Sequence, residues 1–378
     1  MVECDFLIIG AGIAGASVGS LLARKHKVIV LEREDQPGYH TTGRSVAVYT
    51  EAYGPRVIRA LAIAGGPFLK GPPEGFAPVP LAHPHGLMFV ARADQRDSLY
   101  RALAAVRELS DKIHEISVDE AIDLVPVLRR DYLAHAFIDP NTMALDVNAI
   151  HQGYLRALRA AGGAVVTSAE AHRFERRGRR WRVTTAAGEF SASVVINAAG
   201  AWADVVAERA GAAPIGLVPK RRTVIAFAPP AGLDTRHWPV TFDADAGTIL
   251  GSPADETPVP PQDIQPDELD IALAVDRIER ATTLRVGRII RKWAGLRSFV
   301  ADGVPVSGYD PEVDGFFWLA GQGGYGIETS PALAHVAAAL AREEELPADI
   351  QALGVSSEDL APARVQDPAR RAALAAAH

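Results

Sequence analysis

Residues 5–33 read DFLIIGAGIAGASVGSLLARKHKVIVLER, and this stretch decides the fold. An apolar strand runs into Gly10-x-Gly12-x-x-Gly15, a helical stretch follows, and a second strand closes on Glu32. That order is the dinucleotide-binding βαβ unit. Gly10 permits the tight turn after the strand, Gly12 lets the backbone approach a pyrophosphate, and Gly15 lets the helix pack closely on the sheet. Ile13 and Ala14 then open the helix, whose free N–H groups and dipole favour phosphate charge. Glu32 stands where an acid bonds adenosine ribose hydroxyls, with Arg33 beside it. An acid there repels a 2′-phosphate, so NADP is disfavoured.

Composition narrows the class. A chain of 378 residues suits two intimately joined domains. Hydrophobic residues make up 48% and charged residues 22%, the balance of a soluble globular enzyme. The formal net charge of −7 argues against nucleic acid or an anionic membrane surface as the main partner. The basic run Arg176-Arg177-Gly178-Arg179-Arg180 reads as the solvated tip of a hairpin. The single cysteine, Cys4, excludes an intrachain disulfide and a thiolate metal site, and reads as a small buried hydrophobe. His83 and His85 lack an evident third ligand, so no metal is expected. No apolar run reaches membrane-spanning length. The chain enters a core strand almost at once, so neither a cleavable signal peptide nor a location outside the cytoplasm is expected.

The fold class is α/β, with a Rossmann-like nucleotide domain assembled from residues 1–50, 145–215 and 301–355. Residues 51–144 and 216–300 leave that domain and return to it, which is how a substrate-binding domain is built. Ser117 and Glu120 form a capping box. Thr329 or Ser330 is positioned to cap the last long helix, with Pro331 in its first turn. Residues 356–378 read as a frayed tail.

Three later features favour FAD over NAD: the polar loop Gly38–Ser45, the strand end Asn197-Ala198-Ala199-Gly200-Ala201-Trp202, and the run Gly321-Gln322-Gly323-Gly324-Tyr325-Gly326. Together with VPVLRRD, HQGYLRALR, PKRRTVIAFAPP and WAGLRSFVADG, they resemble the D-amino acid oxidase superfamily of flavoproteins over nearly the whole chain. Within it, the bacterial FAD-dependent D-amino acid dehydrogenases are most similar, the arginine-specific members in particular. The resemblance implies an FAD domain plus an α+β substrate domain with a mixed sheet, and FAD held without a covalent link. It implies that Thr42, Gly43, Arg44 and Ser45 lie along the pyrophosphate or isoalloxazine, that Ala199, Gly200 and Trp202 leave room for the cofactor, and that Gly323, Gly324, Tyr325, Gly326 and Ile327 supply backbone donors to the flavin ring. His40 is either a hydrogen-bonded loop residue or a flavin contact.

The chemistry implied is hydride transfer from Cα of a D-amino acid to flavin N5, giving a 2-oxo acid and ammonia. Carboxylate anchoring wants the planar fork of arginine. Arg222 and Arg297 match the family's positions, and Tyr53 matches a phenol that reaches the substrate carboxylate. Arg221 reads as a surface charge, since strand neighbours face opposite ways. Gly324 and Tyr325 complete the pocket. Where arginine-specific relatives place a glutamate and a histidine around a cationic side chain, this sequence has Leu87 and Val48. Basic D-amino acids are therefore expected to be poor substrates and apolar ones better. The segment 238–253 is shorter than its counterpart and lacks a lid tyrosine. The electron acceptor is a quinone, another carrier or oxygen. The alternatives are an amine or sarcosine-type oxidase that forms hydrogen peroxide, and a non-catalytic FAD-binding protein.

Overall fold

The computed structural model describes residues 1–107, 112–235, 237–239 and 248–367. The strand Val2–Ile9 pairs in parallel with Val28–Leu31 on one side and Gly188–Asn197 on the other. Ala164–Val166 extends the sheet beyond Val28–Leu31, and Phe316–Ala320 pairs in parallel with the end of Gly188–Asn197. Covered on both faces, these strands are almost continuously apolar, and Leu7, Ile8, Val30, Val195, Ile196 and Phe317 are fully buried. Val306–Tyr309 and the hairpin Arg173–Arg177/Arg180–Thr185 add antiparallel pairs, completing a mixed eight-stranded sheet.

The helix Ile13–Leu22 packs on this sheet because two glycines permit it. Gly10 has φ +105°, and a Cβ there would lie 2.5 Å from the Ala198 carbonyl oxygen. A Cβ on Gly15 would sit 1.9 Å from the Gly10 carbonyl oxygen, so any side chain would push the helix off the turn.

Among the described residues the intervening segments, joined by Val48–Tyr49, form three separate three-stranded antiparallel sheets. In the largest, Val218–Phe227 lies between Ile249–Gly251 and Ile289–Phe299. Mixed pairing thus belongs to the nucleotide unit; the intervening strands, joined antiparallel, contribute only antiparallel ladders among the described residues. The Ser117–Glu120 capping box is formed, with Ser117 Oγ accepting from Glu120 N at 3.1 Å and Glu120 Oε2 accepting from Ser117 N at 2.8 Å. Asp146 caps the helix Val147–Ala160 by accepting from Ala149 N at 2.7 Å.

Two expectations need correction. The tail does not fray from residue 356. Leu360 and Val365 are fully buried, and Arg364, 5% exposed, donates through Nε to Asp302 at 2.8 Å, a paired charge that fixes the segment. Nor is Arg180 at a solvated tip, for it bonds Ser191 Oγ at 2.9 Å and the Cys4 carbonyl at 2.8 Å, leaving Gly178 and Arg179 to make the turn. Cys4 itself is 2% exposed, and burial raises its thiol pKa to about 12. Half of the expected short lid, residues 240–247, lies outside the described residues, as do residues 368–378. Among the described residues no helix is long and apolar enough to cross a membrane.

Candidate functional site

The glycine turn is held from several sides. Ala11 N donates to Glu32 Oε2 at 3.0 Å, while His151 Nε2 stands 2.8 Å from the Ala11 carbonyl oxygen as its donor. Both groups are buried, and burial raises the Glu32 pKa and lowers that of His151. Ile13 N donates to Thr42 Oγ1 at 3.0 Å, so the loop after the second strand secures the helix start. The neighbouring Thr41 Oγ1 donates to the Leu296 carbonyl at 2.9 Å and ties the same loop to the strand Ile289–Phe299.

A long cavity begins at this turn. At one end Arg33 lies 4.8 Å over the Trp202 ring, and His40 packs 4.6 Å from that ring while bonding Glu34 at 2.8 Å. His40 is therefore both a hydrogen-bonded loop residue and a cavity wall. The cavity continues past Thr42, Ser45, Ala199 and Gly200 to Gly323, Gly324, Gly326 and Ile327. Gly10, Gly12, Ala14 and Glu32 line it, and no side chain rises from its two first glycines. The Gln322 side-chain nitrogen in its wall is buried without a hydrogen-bond partner, a donor awaiting an acceptor. A glycine-walled cleft at a helix start, an aromatic end and an orphaned donor at the far loop fit a bound FAD.

At that far loop the sheet register brings the arginines together. Lys220 pairs with Arg297 and Arg222 with Gly295, so Lys220, Arg222 and Arg297 share one sheet face. Arg222 is held below the ordinary arginine pKa, first by burial and then by the charge of Arg297, with Tyr53 and Glu256 acting the other way. Arg222 Nη2 donates to Glu256 Oε1 at 3.0 Å, whereas its Nε is buried and unpartnered. Half-buried Arg297 makes no ion pair among the described residues. Its guanidinium lies against Gly324, where an added Cβ would be 3.0 Å from Cζ. Tyr53, 41% exposed, meets Tyr325 edge-on at 5.3 Å, and Tyr325 meets Phe299 at 6.3 Å. Burial, with the neighbouring Tyr53, pushes the Tyr325 phenol up to about 12.

Several expected residues sit elsewhere. Gly15 and Gly43 are packing glycines outside the cavity lining; a Gly43 Cβ would be 2.6 Å from the Gly38 carbonyl oxygen. Val48 and Leu87 are half-buried on strands opposite Ala144 and Asp139, and they, Tyr53 and Tyr325 do not line the cavity. Arg44 lines it, yet its guanidinium bonds the Ile264 and Ala294 carbonyls at 2.9 and 3.3 Å and pairs with Asp263. Arg221 is no surface charge: 15% exposed, it pairs with Asp270 at 2.7 Å and with Asp255 at 3.5 Å. Thr329 occupies the cap position of the helix Ser330–Ala341 without capping it, since its hydroxyl donates back to the Tyr325 carbonyl at 2.8 Å.

Nothing in the sequence pattern marks Glu256, Gln322, His151 or Glu328 as site residues. Glu328, 4% exposed, accepts from Thr50 N at 3.2 Å, and burial raises its carboxyl to about 8 despite the nearby Arg297 charge. Among the described residues no group of three or more His, Cys, Asp or Glu is placed to hold a metal.

The chain resembles known proteins along most of its length. The family model DAO, FAD dependent oxidoreductase, matches residues 5–340. A glycine oxidase of Geobacillus kaustophilus is 24% identical over 366 residues, covering 92% of this chain and 95% of that one. The crystal structure of L-proline dehydrogenase from P. horikoshii superposes with a TM-score of 0.81 at 19% identity, covering 96% of this chain and 98% of the other. Iminodiacetate oxidase from Chelativorans sp. BNC1 gives 0.75 at 21% identity, covering 94% and 98%. The family match supports the superfamily and not the D-amino acid dehydrogenase group in particular, and the solved structures share its fold.

Proposed function

The chain belongs to the DAO family of FAD-dependent oxidoreductases, and from that premise we propose that it oxidises the Cα–N bond of D-amino acids with apolar side chains. The products are the imine, which water converts to a 2-oxo acid and ammonia, and the reduced cofactor. Bound FAD supplies the acceptor for the hydrogen and two electrons that leave Cα; a quinone, another carrier or oxygen takes them onward.

The observation that carries the reading is Arg222 and Arg297 on one sheet face at the end of the cofactor cavity, with Arg297 free of an ion-pair partner among the described residues. Two guanidinium forks there bind a carboxylate and orient the Cα substituents. The same positive charge disfavours an ammonium, so it promotes loss of the amine proton before oxidation. Tyr53 and Tyr325 form an aromatic side to the carboxylate site. The preference for apolar side chains rests on the resemblance alone, which sets Val48 and Leu87 where arginine-specific relatives carry polar partners for a cation; neither residue lines the cofactor cavity.

A second reading, oxidation of glycine or a secondary amine with release of hydrogen peroxide, draws support from the similarity to a glycine oxidase and an iminodiacetate oxidase. Anaerobic mixing of the yellow protein with D- and L-amino acids, glycine and N-methylglycine separates the two. Flavin bleaching by D-Leu or D-Met, with little by D-Arg or the L-forms, supports the first. Bleaching by glycine or N-methylglycine alone supports the second, and no bleaching by any of them overturns both.

A further inference from the structure

A carboxylate of the chain itself already sits on the clamp. Glu256 Oε1 accepts from Arg222 Nη2 at 3.0 Å, and Oε2 accepts from Lys220 Nζ at 3.0 Å. The Glu256 side chain is 49% exposed whereas Arg222 is 14% exposed, so the acid stands on the solvent side of the arginine. Its backbone neighbours are fixed. Asp255 accepts from Thr223 N at 2.7 Å, Arg221 N donates to the Thr257 carbonyl at 2.9 Å, and Val259 N donates to the Pro219 carbonyl at 2.9 Å. Movement is thereby confined to the Glu256 side chain.

We propose that Glu256 is a built-in stand-in for the substrate carboxylate, holding Arg222 in the free site and yielding it to the incoming carboxylate while keeping Lys220. The inference rests on the proposed role of Arg222 and Arg297 as a carboxylate clamp. Three features favour the exchange. Glu256 uses one N–H of Arg222 and leaves the buried Nε unpartnered, so a ligand that takes Nε and Nη2 together makes the stronger, bidentate contact. Lys220 shares the sheet face with Arg222 and already holds the other Glu256 oxygen, so the displaced acid stays neutralised. Until a ligand arrives, Glu256 offsets the repulsion between Arg222 and Arg297, two buried or half-buried cations on one face.

The test is calorimetric titration of the holoenzyme with propionate, a carboxylate without an amine, and with neutral propionamide. Glu256→Gln is expected to bind propionate roughly two- to fivefold tighter than the unaltered chain, the worth of one exposed ion pair, with propionamide unchanged. Lys220→Met is expected to weaken propionate, because Glu256 then has only Arg222 to hold. If Glu256→Gln and Glu256→Ser leave propionate affinity unchanged while Arg222→Met abolishes it, the exchange is wrong and the clamp stands. Equal tightening of propionate and propionamide also overturns the exchange, since it would show relief of crowding. Propionate binding indifferent to both Arg222→Met and Arg297→Met overturns the clamp, and the exchange with it.

Discussion

Glu32 and His151 grip opposite ends of one residue: Ala11 gives its N–H to Glu32 at 3.0 Å and its carbonyl to His151 at 2.8 Å. The two clamps fix the peptide planes on either side of Ala11, within the turn between Gly10 and Gly12. The turn is therefore shaped before any phosphate reaches it, and binding spends less free energy on ordering it.

Removing one clamp tests this. His151→Ala leaves the Ala11 carbonyl buried and unsatisfied, at a cost of about 1–3 kcal/mol. The expected outcome is a lower melting temperature and FAD lost on desalting, read by differential scanning calorimetry and the absorbance ratio of the eluted protein. His151→Asn, which retains a donor, should recover part of both.

Arg297 is expected to matter through the substrate alone. Arg297→Met should reduce kcat/KM for the best amino acid by about 10- to 100-fold, the worth of a charge-assisted hydrogen bond. The flavin spectrum and melting temperature should stay near those of the unaltered protein, because Arg297 has no ion pair to lose among the described residues. Arg297→Lys should restore charge without the fork and recover only part of the loss.

Glu328 makes stability fall with rising pH. Its carboxyl titrates at about 8 in the folded chain, against an ordinary value of 4.5. Between those values the native state holds a proton that the unfolded state has released, so stability declines as pH rises through the window and levels off above it. Glu328→Gln, neutral throughout, should flatten the decline of the melting temperature by a few kelvin. An unchanged slope would show that Glu328 does not hold its proton across that range.

Leu87 decides the preference against cations under the proposed function. Leu87→Glu should raise kcat/KM for D-Arg relative to D-Leu by about tenfold, the effect of about 1.4 kcal/mol from a new ion pair. No change in the ratio would remove residue 87 from substrate choice, in keeping with its position on a strand outside the cavity lining.

The nucleotide unit was legible because its signals are local. Gly10 is marked by its own positive φ and Gly15 by a carbonyl five residues back, and Thr42 and Ser45 lie one short loop away. Arg222 and Arg297 were legible as types suited to a carboxylate, and only the antiparallel register puts them on one face. Glu256 was not legible. It follows Arg222 by 34 residues in a proline-rich stretch, and neither hydrophobic period nor capping pattern marks it. Arg44 misled for the opposite reason: beside a glycine loop it reads as a phosphate ligand, yet its partners Asp263, Ile264 and Ala294 are supplied by distant chain. Glu328, just ahead of a helix, carries no sequence signal of burial, and only packing shows its carboxyl enclosed.

Thr41 and Thr42, adjacent in one loop, fasten to different bodies: Thr42 to the helix start at Ile13, and Thr41 to the strand carrying Arg297 through Leu296. A shift of the helix start relative to that strand would have to break at least one of these two bonds or carry the loop with it. Neighbouring hydroxyls thus stitch the helix start and the arginine-bearing strand together at a single point, so a displacement of either is passed to the other.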